Sequence, residues 1–308
     1  MRRRSRAAHP PHPRERRRLS TCPRHTAPGE SWRRRMPKNI LVIVEAPAKA
    51  APIVDAATAL ALAHEACLDI AVLTPGPVAS PALVPFGAMY LLDEVVARDS
   101  RANVAAVEAL VAGASCSVAV FGLYDDVAWL AGDLRRSRQI ADLTVIGTPE
   151  AWELHWLRRR VVETLILSSG TPILILPPDH RIARVRHAVF GWKPSPEAIR
   201  ALHDLVRLLE PEARVDIVMV SDRPRQAGDD TGAEVKRHLT RHGFAAELHR
   251  VADGGLCEAD ALQQFAIERH ADLLALGGFA HSRIREVMLG GVTRRIIDDA
   301  RIPVLLSH

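Results

Sequence analysis

Leu276-Gly277-Gly278-Phe279-Ala280-His281-Ser282-Arg283-Ile284-Arg285-Glu286-Val287-Met288-Leu289-Gly290-Gly291-Val292-Thr293 decides how this chain is read. The run from Asp272 to Leu276 that enters it has the length and apolar character of a buried strand. A glycine pair follows, then a short basic amphipathic segment, then a second glycine pair that opens a helical stretch. Glycine admits positive φ and lets a ligand approach the backbone with no Cβ in the way. A helix N-terminus offers unpaired N–H groups and partial positive charge, which attract anions. The stretch therefore has the form of a phosphate-binding loop between a strand and a helix.

Outward from it, strands and helices alternate. In the second half, strands are expected at Val185–Phe190, Val215–Val220, Ala246–Val251, Asp272–Leu276 and Pro303–Leu306. Helices fall at Pro196–Leu209, Ala233–His242 (closed by Gly243), Glu258–His270 and Arg294–Ala300. In the first half, strands are expected at Ile40–Val44, Ile70–Leu73, Ser117–Phe121, Leu143–Ile146 and Pro172–Leu176. Its helices fall at Pro52–Cys67, Arg101–Ala112, Val127–Ile140 and Leu157–Leu167, with a proline-rich loop from Pro75 to Pro85. The halves align: Ala141-Asp142-Leu143 matches Ala271-Asp272-Leu273, and Thr171-Pro172-Ile173-Leu174 matches Ile302-Pro303-Val304-Leu305. Strict alternation of this kind implies parallel α/β sheets, and each half is about 140 residues, an ordinary domain size.

Of 308 residues, 48% are hydrophobic, enough for a real core, and no window reaches the ~18 apolar residues of a membrane span. Cys22, Cys67, Cys116 and Cys257 are too scattered for a disulfide framework or a zinc knuckle, which suits a cytoplasmic protein. The net charge of +5 comes from residues 1–35, with twelve arginines against Glu15 and Glu30; the remainder holds 29 basic and 34 acidic groups, a net of −5. Together with 4% aromatics, this gives no ground for a nucleic-acid partner. The Arg/Pro-rich leader, residues 1–37, has no apolar periodicity and is expected to be disordered, with Met36 read as the native start.

These residues bring a family into view. Gly277, Ala280, Gly290 and Gly291 follow the spacing G-x2-G-x9-G-(S/T), and the chain ends Pro-Val-Leu-Leu-Ser-His. In both respects it resembles the universal stress protein superfamily, in its tandem two-domain bacterial form. The resemblance implies two Rossmann-like α/β domains of the adenine-nucleotide-alpha-hydrolase type, residues 38–179 and 180–308, each a five-stranded, mostly parallel sheet flanked by helices. It also implies that the last strand of one pairs with the last strand of the other, Ile173–Leu176 meeting Val304–Leu306, as an intrachain pseudo-dimer. That pairing would cover two apolar edges. A homodimer is compatible with it, and protein partners stay open.

The resemblance further implies an adenine nucleotide, ATP or a relative, in the second domain. The residues carried over as its binding set are Trp192, Lys193, Val220, Gly277, Gly278, Ala280, His281, Arg283, Gly290, Gly291, Val292 and Thr293. Three departures bear on it. Ala280 stands for a glycine, Gly291 for a hydroxyl residue, and Lys193 for an acidic residue that would accept bonds from ribose or base. Lys193 would instead meet a phosphate as a point charge. Plainer roles stay open: Trp192 as core, His281 bonded to backbone, Arg283 paired with acidic neighbours, Thr293 as the cap of the last helix. In the first domain, Gly147-Thr148-Pro149-Glu150 lacks the second glycine, and Ser168-Ser169-Gly170 is the nearest remnant of the later pair. Pro149 removes a donor, Glu150 and Glu153 would repel phosphate, and Trp152 and Trp156 would cover the vacated site.

No nucleophile elbow, Walker loop, dinucleotide fingerprint or H-E-x-x-H motif is present, and the histidines offer no recognised metal-ligand signature. The expectation is a non-catalytic, cytoplasmic stress-response regulator that binds adenine nucleotide in its second domain, with no metal and no membrane. Two alternatives stand beside it: a ligand-free interaction scaffold that has lost the site, and a weak ATP-hydrolysing or phosphoryl-transfer enzyme.

Overall fold

In the computed structural model, residues 36–76, 88–125, 140–220, 231–252, 254–278 and 291–308 are described. The leader calls, the proline-rich loop and the helix expected at 127–140 therefore lie outside the described residues. So do Ala280, His281, Arg283 and Gly290.

The strands are β1 (Asn39–Val44), β2 (Cys67–Pro75), β3 (Val118–Asp125), β4 (Leu143–Gly147), β5 (Ile173–Leu176), β6 (Val185–Gly191), β7 (Leu209–Val220), β8 (Ala245–Val251), β9 (Leu273–Gly277) and β10 (Val304–Ser307). The helices are α1 (Pro47–His64), α2 (Ala88–Leu110), α3 (His155–Ser169), α4 (Pro196–Leu208), α5 (Thr231–Arg241), α6 (Glu258–Glu268) and α7 (Gly291–Asp298). All ten strands join one sheet in the order β3-β2-β1-β4-β5-β10-β9-β6-β7-β8. Every pairing is parallel except β5 with β10, where Ile173, Leu174 and Ile175 face Leu306, Leu305 and Val304. The two last strands thus meet as the resemblance implied, and two apolar edges become the centre of the sheet.

Each half repeats the strand order 3-2-1-4-5 from the outer edge in to that seam. Helices cover both faces. Leu60 of α1, Leu205 of α4 and Leu239 of α5 pack on one side, while Val162 of α3, Leu262 of α6 and Ile296 of α7 pack on the other. Strands covered on both faces read as continuous apolar runs, which is why Ile40–Val44 is buried at every position.

Several boundaries differ from expectation. Helix α1 begins at Pro47 and carries Pro52 inside it, so the Ala48 carbonyl lacks its usual helical donor. Helix α2 starts thirteen residues before Arg101, at Ala88. Strand β7 starts at Leu209 rather than Val215, with Glu212 at φ 63 and a register shift against β6 between Val185 and His187. Helix α7 starts at Gly291, so Thr293 sits in its first turn and is not its cap. Gly170, the supposed remnant glycine, is the left-handed cap of α3 at φ 65.

Polar contacts also join the halves. The Arg158 guanidinium is buried; its Nε donates to the Gly147 carbonyl at 2.7 Å and its Nη1 to the Ile297 carbonyl at 2.8 Å. Burial pushes its pKa down to about 10, against the pull of Asp298 and Glu150, so it stays charged at neutral pH. Beside it, Arg159 Nη2 reaches both Asp298 oxygens at 3.0 Å. Arg207 on α4 meets Asp142 at 3.3 Å.

Candidate functional site

In a doubly wound sheet, ligands bind beyond the carboxyl ends of the strands where the strand order reverses. The strand order 3-2-1-4-5 reverses between the first and fourth strands. This chain has two such points, one between β6 and β9 and one between β1 and β4.

At the β6/β9 point, β9 ends in Gly277 and Gly278, and α4 begins beside them. Ser195 caps α4 by accepting from the Ala198 N–H at 3.1 Å, and Pro196 takes the first helical position. A Cβ on Gly277 would lie 2.5 Å from Ala198 N and 2.7 Å from Glu197 C, so this glycine lets α4 ride directly over the strand end. Gly278 donates to the Ser307 carbonyl at 2.8 Å, and its own carbonyl lies 3.1 Å from His308 Nδ1. Neither Gly277 nor Gly278 has positive φ, so of the two uses of glycine the left-handed backbone is not made at either position. Gly291, at the start of α7, has open space where a side chain would go. Thr293 is buried, with its methyl toward Gly278.

From the strand side, Val220 ends β7 half-buried. Trp192 follows β6 and takes the core role left open for it. Its ring is buried against Phe190 and its Nε1 donates to Thr231 Oγ1 at 3.2 Å, so it serves the core. Lys193 is exposed, with Nζ 3.7 Å from Glu258 Oε2 at the start of α6. Helix α7 is steadied by Arg295, whose Nε lies 3.3 Å from Asp260 Oδ1 on α6. Cys257 Sγ donates to the same carboxylate at 3.0 Å; that bond and Arg295 hold the Asp260 carboxyl below its ordinary range. Thus Val220, Val292 and Leu276 pack in one cluster, Gly278 lies beside Thr293, and Lys193 follows β6 at the same carboxyl end of the sheet.

The β1/β4 point is filled by the chain itself. A 3-10 turn, Pro149–Ala151, follows β4, and a Cβ on Gly147 would meet Ala151 Cβ at 2.6 Å. Trp152 is buried behind it, whereas Trp156 is half-exposed and does not cover the site as expected. Glu45, just past β1, is buried and its Oε2 accepts from the Glu153 N–H at 2.8 Å and the Leu154 N–H at 3.4 Å. Those donors belong to the approach to α3, so a side-chain carboxylate occupies the place where a helix N-terminus attracts an anion. Lys49 Nζ closes the arrangement on the Trp152 carbonyl at 3.1 Å. Glu45 and Glu258 were not singled out from the sequence. Their partners lie far away along the chain, and no local pattern marks them.

The fold defines a doubly wound α/β protein whose two halves repeat one strand order. A sequence model of the universal stress protein family matches residues 184–308. A universal stress protein from Synechocystis is 26% identical over 145 residues, covering 47% of this chain and 49% of that protein. The match therefore spans about half the length of that relative. A universal stress protein from Archaeoglobus fulgidus superposes with a TM-score of 0.60 at 13% identity, covering 87% of this chain and 95% of that one. A functionally unknown protein from Pseudomonas aeruginosa does so with a TM-score of 0.51 at 13% identity, covering 91% and 94%. The structural likenesses speak for the fold. Residues 184–308 carry the sequence pattern of the universal stress protein family, and the chain as a whole shares the fold of those solved structures.

Proposed function

We propose that residues 180–308 bind an adenine nucleotide, ATP or a relative, at the β6/β9 switch point, and that residues 38–179 form a structural partner domain. The observation that carries this is the contrast between the two points. One is occupied by Glu45, Ala151 and Trp152, while at the other a glycine pair lies beside Thr293 in the first turn of α7, with room for a Cβ at Gly291. Phosphates would lie against the N–H groups of Gly291, Val292 and Thr293, with Ala280, His281, Arg283 and Gly290 completing the loop. Lys193 would leave Glu258 to meet a phosphate as a point charge. The chain would act without catalysis, as a cytoplasmic stress-response regulator in which nucleotide shifts the loop between two states of different affinity.

Titration calorimetry with ATP on the full chain tests this. Wild type should give saturable binding, and both Lys193→Ala and Gly290→Val should weaken it. Binding that survives both substitutions unchanged places the site elsewhere. A second reading, a ligand-free scaffold, draws on the Lys193–Glu258 pair, which already satisfies the Lys193 ammonium. It predicts no binding heat at all.

A further inference from the structure

Three neighbouring strands carry a polar cluster that the nucleotide reading does not use. Asp216 on β7 has a fully buried side chain. It lies opposite Glu247 on β8 in register, and His249 follows two residues on, so all three point to the sheet face covered by α6. His249 Nε2 is 3.1 Å from Asp216 Oδ1 and 3.6 Å from Glu247 Oε2. The donor atoms of Asp216, Glu247 and His249 all fall within 4.8 Å of one another. From β6, His187 Nε2 reaches the other Asp216 oxygen, Oδ2, at 3.0 Å. Asp216 and Glu247 each lie four residues before the ends of β7 and β8, about 13 Å from those carboxyl ends by strand rise.

We propose that Asp216, Glu247 and His249 form a site for a divalent transition-metal ion of the zinc class, with His187 as the positioning residue that holds the second oxygen of Asp216. In a tetrahedral site with bonds of about 2.0–2.1 Å, neighbouring donor atoms lie about 3.3 Å apart. The observed 3.1 and 3.6 Å edges bracket that value. One imidazole and two carboxylates suit such ions, and three protein ligands leave a fourth position for water or substrate. A ligating carboxylate is itself held by a further hydrogen bond in such sites, and His187 supplies one to Asp216 Oδ2. The Phe265 ring, 5.1 Å from the His249 ring, packs beside the imidazole.

The place already favours positive charge. The Arg214 guanidinium bridges the two carboxylates, with Nε and Nη2 3.1 and 3.0 Å from Asp216 Oδ1 and Nη2 3.3 Å from Glu247 Oε2. Its side chain is 41% exposed, so it can swing into solvent and give up the position to a metal. The guanidinium is thus a resident competitor.

The test uses the full chain with Co²⁺ alone as a visible-absorbing probe, followed by displacement with Zn²⁺. One saturable Co²⁺ per chain is expected. Glu247→Gln, at a side chain 58% exposed, and His249→Ala should each weaken binding by more than about tenfold. His187→Ala should weaken it by about 10- to 100-fold, as loss of a supporting bond does. Arg214→Gln removes the competitor and should tighten it. No saturable uptake at millimolar Co²⁺ overturns the proposal and leaves a satisfied hydrogen-bond network. Uptake unchanged in Glu247→Gln and His249→Ala overturns it too, and moves the metal to another place such as His238 and His242, whose rings lie 4.5 Å apart. Weaker binding in Arg214→Gln contradicts the competition on which the site rests.

Discussion

Replacing Gly277 by alanine separates two reasons for a glycine in this loop. If the glycines serve only the approach of a ligand, alanine at 277, 278 or 291 should alter binding and leave folding alone. The geometry says otherwise. A Cβ at 277 meets three backbone atoms of the first turn of α4: Ala198 N at 2.5 Å, Glu197 C at 2.7 Å and Ala198 Cα at 2.8 Å. Backbone cannot rotate away, so α4 must lift from β9 or the strand end must bend. Overpacking of this kind costs about 1–3 kcal/mol, and backbone contact puts Gly277→Ala at the upper end. At 278 the nearest atom is the Ser307 carbonyl oxygen at 3.6 Å, an ordinary contact, so Gly278→Ala should cost under about 1 kcal/mol. At 291 nothing lies within 4 Å, and alanine in the first turn of α7 should be neutral or stabilising by up to about 1 kcal/mol. Urea unfolding of the three variants reads the order directly, as midpoint shifts at constant m. Equal midpoints for Gly277→Ala and Gly278→Ala would refute the packing argument.

Arg158→Met should destabilise by about 2–4 kcal/mol, because the Gly147 and Ile297 carbonyls lose charged donors that now bond them at 2.7 and 2.8 Å; a urea midpoint within error of wild type would contradict that role. Burial, aided by Lys38 and Arg184, pushes the His64 imidazole from 6.5 down to about 4. The unfolded chain therefore takes up a proton between those pH values that the folded chain refuses, so stability falls as pH drops through that window, by about 3 kcal/mol at most. Urea melts across that range should show the loss, and His64→Leu should remove most of it. Glu45→Gln should cost about 1 kcal/mol, since the Glu153 and Leu154 N–H groups lose a charged acceptor near the start of α3; an unchanged melting temperature counts against the self-filled switch point.

What the sequence revealed depended on distance along the chain. The alternation of strand and helix and the repeat are patterns of period and composition, whereas the meeting of Ile173–Leu176 with Val304–Leu306 came from the family resemblance. Helix α2 and strand β7 were cut short because their early residues lack clean periodicity. Pro52 read as a helix start because its missing N–H is harmless there, yet the helix tolerates it one turn later. Trp152 was legible as a cover, but the Glu45 carboxylate was not, since its donors lie 108 and 109 residues away. Gly277 was noticed for the approach of a ligand, while its lack of a Cβ also matters to a helix that departs from another strand. The Asp216 cluster stayed hidden because parallel register, and no local spacing, joins residues 29 and 33 positions apart.

The central claim, one open nucleotide site in a chain of two units, is tested most directly by purifying the full chain without added nucleotide, denaturing it and weighing the released small molecules. The account predicts an adenine nucleotide in the released fraction, at no more than one per chain. Two equivalents per chain, or a blank release followed by no heat on titration with ATP, would contradict it.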